Sequence, residues 1–186
     1  MIKCVSLVSS KKQIKAAEKE GGKKAQDILG INKTGGMSYF TLEMPLCKGR
    51  PDLLQKAMDA ANVPVNINTT EHKGGANELA KCLVTSDNIT QVVILFHVPK
   101  NLADSKLALN EWYTHVTSDL NGKIVSKSDE FLMYVAKNDP FNGYFALKMK
   151  DQAICQSVNL LRKHNLIIDD DSDCDMEEIY KIAEWD

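Results

Sequence analysis

The sequence predicts an α/β domain in which a mixed β-sheet is flanked by helices. Val92-Val93-Ile94-Leu95-Phe96 is continuously apolar, the mark of a central strand buried on both faces. Ala80–Thr85 precedes it across Ser86-Asp87-Asn88, which reads as a hairpin turn, and a hairpin rules out an all-parallel sheet. Apolar residues at helical spacing, Leu53, Leu54, Ala57, Met58 and Ala61 on one side and Leu109, Trp112, Val116 and Leu120 on the other, supply helices to cover such a sheet.

Residues 11–29 read as a helix with a thin stripe of Ile14, Ala17, Ala25 and Ile28 and a weak point at Gly21-Gly22. So thin a stripe suits a helix at a domain edge, or the end of a longer helical hairpin. Gly30 and Gly35-Gly36 read as loop. Tyr39–Met44 alternates as a strand does, and Pro45 ends it. Pro51 opens the next helix from a first-turn position, and Pro64 stops it. Residues 63–68 are a candidate short strand. Pro99 terminates the central strand because it has no N–H to donate. Asp104 or Ser105 is the expected cap of the Trp112 helix.

Phe131–Ala136 reads as a strand, and Tyr144–Met149 as one more, separated by the turn-rich Asn138-Asp139-Pro140-Phe141-Asn142-Gly143. Tyr39–Met44 and Tyr144–Met149 look alike; an internal repeat and a chance likeness of two amphipathic strands both account for it. Asp151 is expected to cap a helix with the face Ile154, Val158 and Leu161. Met176, Ile179, Ile182 and Ala183 would form a short last helix docked by Trp185. The expected division is a helical segment over 1–34, an α/β globular domain over 35–168, and an acidic tail over 169–186.

The chain has 186 residues, 44% hydrophobic and 26% charged, a composition typical of globular domains. It contains no apolar run near the ~18 residues of a membrane span, and its first ten residues lack the pattern of a signal peptide. Cys4, Cys47, Cys82, Cys155 and Cys174 show no metal or redox spacing, which points to free thiols and a cytoplasmic protein. The net charge of −2 conceals a division. Residues 1–30 carry seven lysines against three acids, whereas residues 169–186 carry nine acids against one lysine. Such segregation fits a polyanion-binding body, or a solvated helix followed by a solvated tail.

No phosphate loop, dinucleotide loop or metal-binding helix motif is present, so no catalytic residue, cofactor or metal is expected. His72, His97, His115 and His164 stand apart from cysteines and carboxylates at ligand spacing, and His97 reads as structural. Cys155 reads as packing. The Asp169–Asp175 run lacks the glycine and closing glutamate of a calcium loop and reads as a solvated linker. Trp112 belongs to a core face rather than to a base-stacking platform. Lys123 and Lys127, in a loop between helix and strand, and Lys148 and Lys150, ahead of the N-terminus of the 151–163 helix, are the candidate nucleic-acid contacts.

The stretch VVILFHVPKNLADSKLALNEWYTHVTSDLNGK, Val92 to Lys123, resembles the C-terminal domain of alanyl-tRNA synthetase. In that family a hydrophobic strand enters a Val-Pro-x-Asn turn, here Val98-Pro99-Lys100-Asn101, followed by a helix with a central tryptophan and a Gly-Lys exit, here Gly122-Lys123. The likeness covers about residues 38–166 and is strongest over Ala80–Lys123. Lys150-Asp151-Gln152-Ala153-Ile154-Cys155-Gln156 is similar to the family's last strand-to-helix segment. The resemblance implies a non-catalytic module of a cytoplasmic alanine–tRNA ligase that binds the outer corner of tRNA, with tRNA-Ala and the rest of the synthetase chain as partners and a homodimer as a further candidate. Many members carry a glycine triplet after the Gly-Lys exit; here Ile124-Val125-Ser126 stands there. That departure favours an alternative, a protein-interaction or dimerisation module that has lost nucleic-acid binding. A small stand-alone hydrolase related to phosphoesterases with a similar C-terminal domain is the third reading, disfavoured by the lack of a metal constellation.

Overall fold

A computed structural model describes residues 9–64, 74–103 and 106–167. In chain order it contains α1 (Lys11–Gly35), β1 (Tyr39–Glu43), a 3-10 turn (Pro45–Cys47), α2 (Pro51–Asn62), β2 (Ala80–Ser86), β3 (Gln91–His97), the short α3 (Lys100–Ala103), α4 (Leu109–Thr117), β4 (Gly122–Lys127), β5 (Phe131–Lys137), a 3-10 turn (Pro140–Asn142) and α5 (Ala146–Lys163). The five strands form one mixed sheet in the order β1-β2-β3-β5-β4. Only β1 and β2 run parallel; the other neighbouring pairs are antiparallel.

The continuous apolar run lies on the middle strand because β3 has helices over both of its faces. Val92, Ile94 and Phe96 meet α4 and α5 in the larger core, while Val93 and Leu95 meet α1 and α2. Trp112 is 0% exposed. Its indole N–H donates to Ser157 Oγ at 2.9 Å, and its ring lies 5.9 Å from Phe96 in an edge-on pair and 5.6 Å from Tyr39. A buried tryptophan needs such an acceptor for its one polar atom, and Ser157 on α5 supplies it. The hairpin forms where expected: the Asp87 carboxylate accepts from the N–H groups of Ile89, Thr90 and Gln91 at 3.0, 2.7 and 3.1 Å.

Several elements differ from the sequence reading. Helix α1 opens on a Ser10–Gln13 capping box, runs through Gly30, and ends at Gly36, whose φ of 71° is the left-handed cap conformation. Gly21-Gly22 is a close-packing point rather than a weak one, because a Cβ at Gly21 would collide with the Ala57 carbonyl of α2. The absent side chain lets α1 seat on α2, and the pair covers one face of the sheet over Leu83, Val93 and Leu95. The Trp112 helix starts at Leu109, behind α3 and an Ala108 N-cap with no side-chain bond; Asp104 and Ser105 lie outside the described residues.

Tyr144–Met149 is not a strand. Tyr144 makes one bridge to Asp139, and α5 begins at Ala146. Two aromatics at its start mimic a strand, yet Ala-Leu-Lys-Met-Lys consists of strong helix formers. Asp151 therefore stands within the helix, and the likeness to Tyr39–Met44 is no structural repeat. The buried residues of α5 are Ala146, Met149, Ala153, Cys155, Ser157, Leu160 and Leu161, with Ile154 and Val158 only partly covered. Val63 and Pro64 form no strand, while residues 65–68, Asp169–Asp175 and the expected last helix lie outside the described residues.

Candidate nucleic-acid interface

The four lysines singled out from the sequence do not converge. Lys123 and Lys127 are in no loop: both belong to β4, an edge strand whose six residues are all exposed. Lys148 and Lys150 do not precede the N-terminus of α5 but lie in its first turns, so the helix end offers them no anion cradle. Lys150 Nζ bonds Glu43 at 2.7 Å, with Asp151 3.5 Å away. Burial works against its charge, but the hydrogen bond and the charge of Glu43, joined by Asp151, outweigh burial and raise its pKa. Glu43 closes β1, at the opposite edge of the sheet from β4. Four strand spacings of about 4.8 Å place these two edges roughly 19 Å apart.

Lys123 acquires a partner the sequence reading missed. It pairs in register with Val135, so its side chain lies on the same face as Val135 and, two residues on, Lys137. Helix α2 begins at Pro51 and leaves the β5–β4 part of this face open. The result is a groove of about 480 Å³ whose walls include Pro51, Gly122, Lys123, Val125, Val135 and Lys137. It has an apolar floor, two ammonium groups and no lining carboxylate. The signal for Lys137 was the alternation Met133-x-Val135-x-Lys137, which continues one residue beyond the strand as read. Lys127 stands farther along the same edge, bonded to Asn110 Oδ1 at 3.1 Å.

The Gly-Lys exit has a local reason in this structure. A Cβ at Gly122 would overlap the Val135 carbonyl and lie 2.7 Å from the Tyr134 ring. Glycine allows β4 to close onto β5, with Tyr134 Oη donating to Leu120 O at 2.8 Å just before it. The chain then continues as strand through Ile124 and Val125, with a bulge between Ile124 and Ser126.

One buried cation escaped the sequence reading. Lys81 is 0% exposed, and its Nζ donates to Ala76 O and, at 2.7 Å, to Leu79 O. Burial lowers its pKa to about 7. His97, its partner across β2 and β3, is lowered to about 4, first by burial and then by the charge of Lys81, against the Leu79 carbonyl and Glu130. His97 is thus a neutral interior residue, as read. The void beside Lys81 is too small to hold a water molecule, so this amine fastens the 76–79 loop to the sheet and is not presented to a ligand. Cys47, Cys82 and Cys155 are buried and form no disulfide among the described residues; burial pushes the first two thiols up to about 12, far from nucleophilic.

Among the described residues no group of three or more His, Cys, Asp or Glu is placed to hold a metal ion, and no helix is long and apolar enough to cross a membrane. Compared with models of known protein families and with curated proteins, the sequence matches none.

Proposed function

We propose that this chain is a non-catalytic tRNA-binding module related to the C-terminal domain of a cytoplasmic alanine–tRNA ligase, meeting the outer corner of tRNA through phosphate contacts beside the catalytic parts of such an enzyme. The observation that carries this reading is the Lys123–Lys137 groove. It joins two lysines with no lining carboxylate, and one of them is the lysine of the Gly-Lys exit. Lys127 extends the positive edge, whereas Lys150 is committed to Glu43.

Two or three neutralised phosphates imply a log–log salt slope of roughly −1.5 to −2.5, a fall in affinity of about 10- to 30-fold between 50 and 200 mM salt. Fluorescence anisotropy with a labelled tRNA-Ala transcript measures it. Lys123→Ala and Lys137→Ala should each flatten the slope by about one contact. A second reading, a protein-interaction module, is favoured by Ile124 and Val125, exposed by 41% and 46% on the open edge strand. Absence of tRNA binding at 50 mM salt, both with and without residues 169–186, decides for that second reading.

A further inference from the structure

We propose that the Lys123–Lys137 groove is the docking site of the chain's own acidic C-terminal segment, residues 168–186, which covers the groove and competes there with other polyanions. The competition with RNA rests on the function proposed above; the docking does not.

Charge and shape together select the occupant. The groove offers Pro51, Val125 and Val135 between two lysines, and neither lysine makes an ion pair among the described residues. A suitable guest is therefore both acidic and apolar. Of the segments outside the described residues, 1–8 carries only Lys3, and 65–73 balances Glu71 against Lys73. Residues 169–186 carry nine acids against Lys181, with Ile179, Tyr180, Ile182 and Trp185 toward the end. A second copy fits poorly, since pairing two β4 edges would bring Lys123 and Lys127 against their own kind across a bulge. The groove between α1 and α2 is a weaker rival because Glu18 and Asp59 line it beside Lys15, Lys19 and Lys56.

The geometry permits the docking. Helix α5 starts beside the Lys137 end of the sheet, where Asn138 Oδ1 accepts from Ala146 N, and runs back toward the other end, Lys150 meeting Glu43 and Ser157 meeting Thr41. Its 18 residues span about 27 Å. The nineteen residues of 168–186 reach on the order of 60 Å when extended, more than the length of α5 and the roughly 19 Å width of the sheet together. A return around the β4 edge passes Lys127 first, then Lys123, then the apolar floor. The segment follows the same order, acids from Asp169 to Glu178 and then Ile179-Tyr180-Lys181-Ile182.

Zero-length carbodiimide cross-linking of the full-length chain tests this, because it joins only ammonium and carboxylate groups already in contact. Mixing ¹⁵N-labelled and unlabelled protein separates links within one molecule from links between two. Intramolecular links from the acids of 169–186 should concentrate on Lys123, Lys127 and Lys137 and fall at least threefold between 50 and 500 mM salt. Val125→Asp, at an exposed position, should reduce links to Lys123 at least threefold with unchanged circular dichroism. Lys137→Glu gives the same readout should Val125→Asp disturb the fold. Links spread over Lys11, Lys12, Lys15, Lys19 and Lys23 of α1, links centred on Lys148, links only between molecules, or none at all would each overturn the docking. Cross-links at the groove together with no tRNA binding, either by the full chain or after removal of residues 169–186, would instead sink the RNA reading and leave the docking standing.

Discussion

Replacing Lys81 by methionine should make stability less dependent on pH between 7 and 9. The ammonium of Lys81 is fully buried and donates to the backbone carbonyls of Ala76 and Leu79. Its pKa falls from 10.5 to about 7 on folding. The folded state therefore releases the proton near pH 7, while the unfolded chain holds it to about pH 10.5. Between these values the unfolded state binds more protons, so stability rises with pH. The penalty is fully present below pH 7 and is relieved as pH climbs toward 10.5. Integrated from pH 7 to 9, the wild type should gain about 2 kcal/mol relative to Lys81→Met, at about 1.4 kcal/mol per unit once the folded-state amine has titrated. His97 titrates far lower and does not enter this window. Urea denaturation of both proteins at pH 7, 8 and 9 measures the difference, with every other ionisable group common to the two. A difference that stays flat within about 0.5 kcal/mol across that range would refute the reasoning, since it would show an amine whose charge is compensated inside the fold.

Gly21→Ala should destabilise by about 1–3 kcal/mol, since its methyl meets the Ala57 carbonyl, whereas Gly30→Ala, in the same helix with nothing within 4 Å, should stabilise by about 0.5–1 kcal/mol; thermal melts of the two variants give the two signs. Gly122→Ala should cost about 1–3 kcal/mol by forcing β4 off Val135 and Tyr134, and hydrogen exchange should accelerate first at β4. Lys150→Ala should leave the salt slope of tRNA binding unchanged, and should lower stability by less than about 1 kcal/mol because Glu43 is partly exposed.

What could be read from the sequence follows from which residues are forced to pattern. β3 and the Leu109–Trp112–Val116 face are buried against specific partners, so burial writes their periodicity into the chain. β4 was invisible because all six of its residues are exposed and no buried face imposes alternation on Gly122–Lys127. The start of α5 was misread because Tyr144 and Phe145 carry strand propensity where the chain makes a single bridge to Asp139 before turning helical. Lys81 lay hidden for the opposite reason: it occupies an inward position of a strand whose other inward residues, such as Leu83 and Thr85, are uncharged, where sequence patterning expects no charge. Gly21 shows that a glycine inside a helical pattern has two meanings, a break or a contact, and only the neighbouring helix decides between them.

The same ambiguity governs Gly122-Lys123. Where glycines follow such an exit, the resemblance implies close backbone approach to a phosphate, with N–H groups as the recognition element. Here Gly122 is spent on packing against Val135 and Tyr134, and Ile124-Val125 turns the following chain into sheet edge. What remains to meet an anion is the ammonium of Lys123, with Lys137 across the groove. An ammonium on a four-carbon stem is a mobile point charge and imposes little geometry, unlike a fixed pair of N–H donors. Recognition through this groove should accordingly depend strongly on salt and weakly on the identity of the tRNA. It would also be open to displacement by any acidic strand that brings apolar side chains for Val125 and Val135. On the function proposed above, an edge strand in place of a glycine loop leaves charge rather than shape to govern recognition, and makes the acidic segment of the same chain the expected competitor.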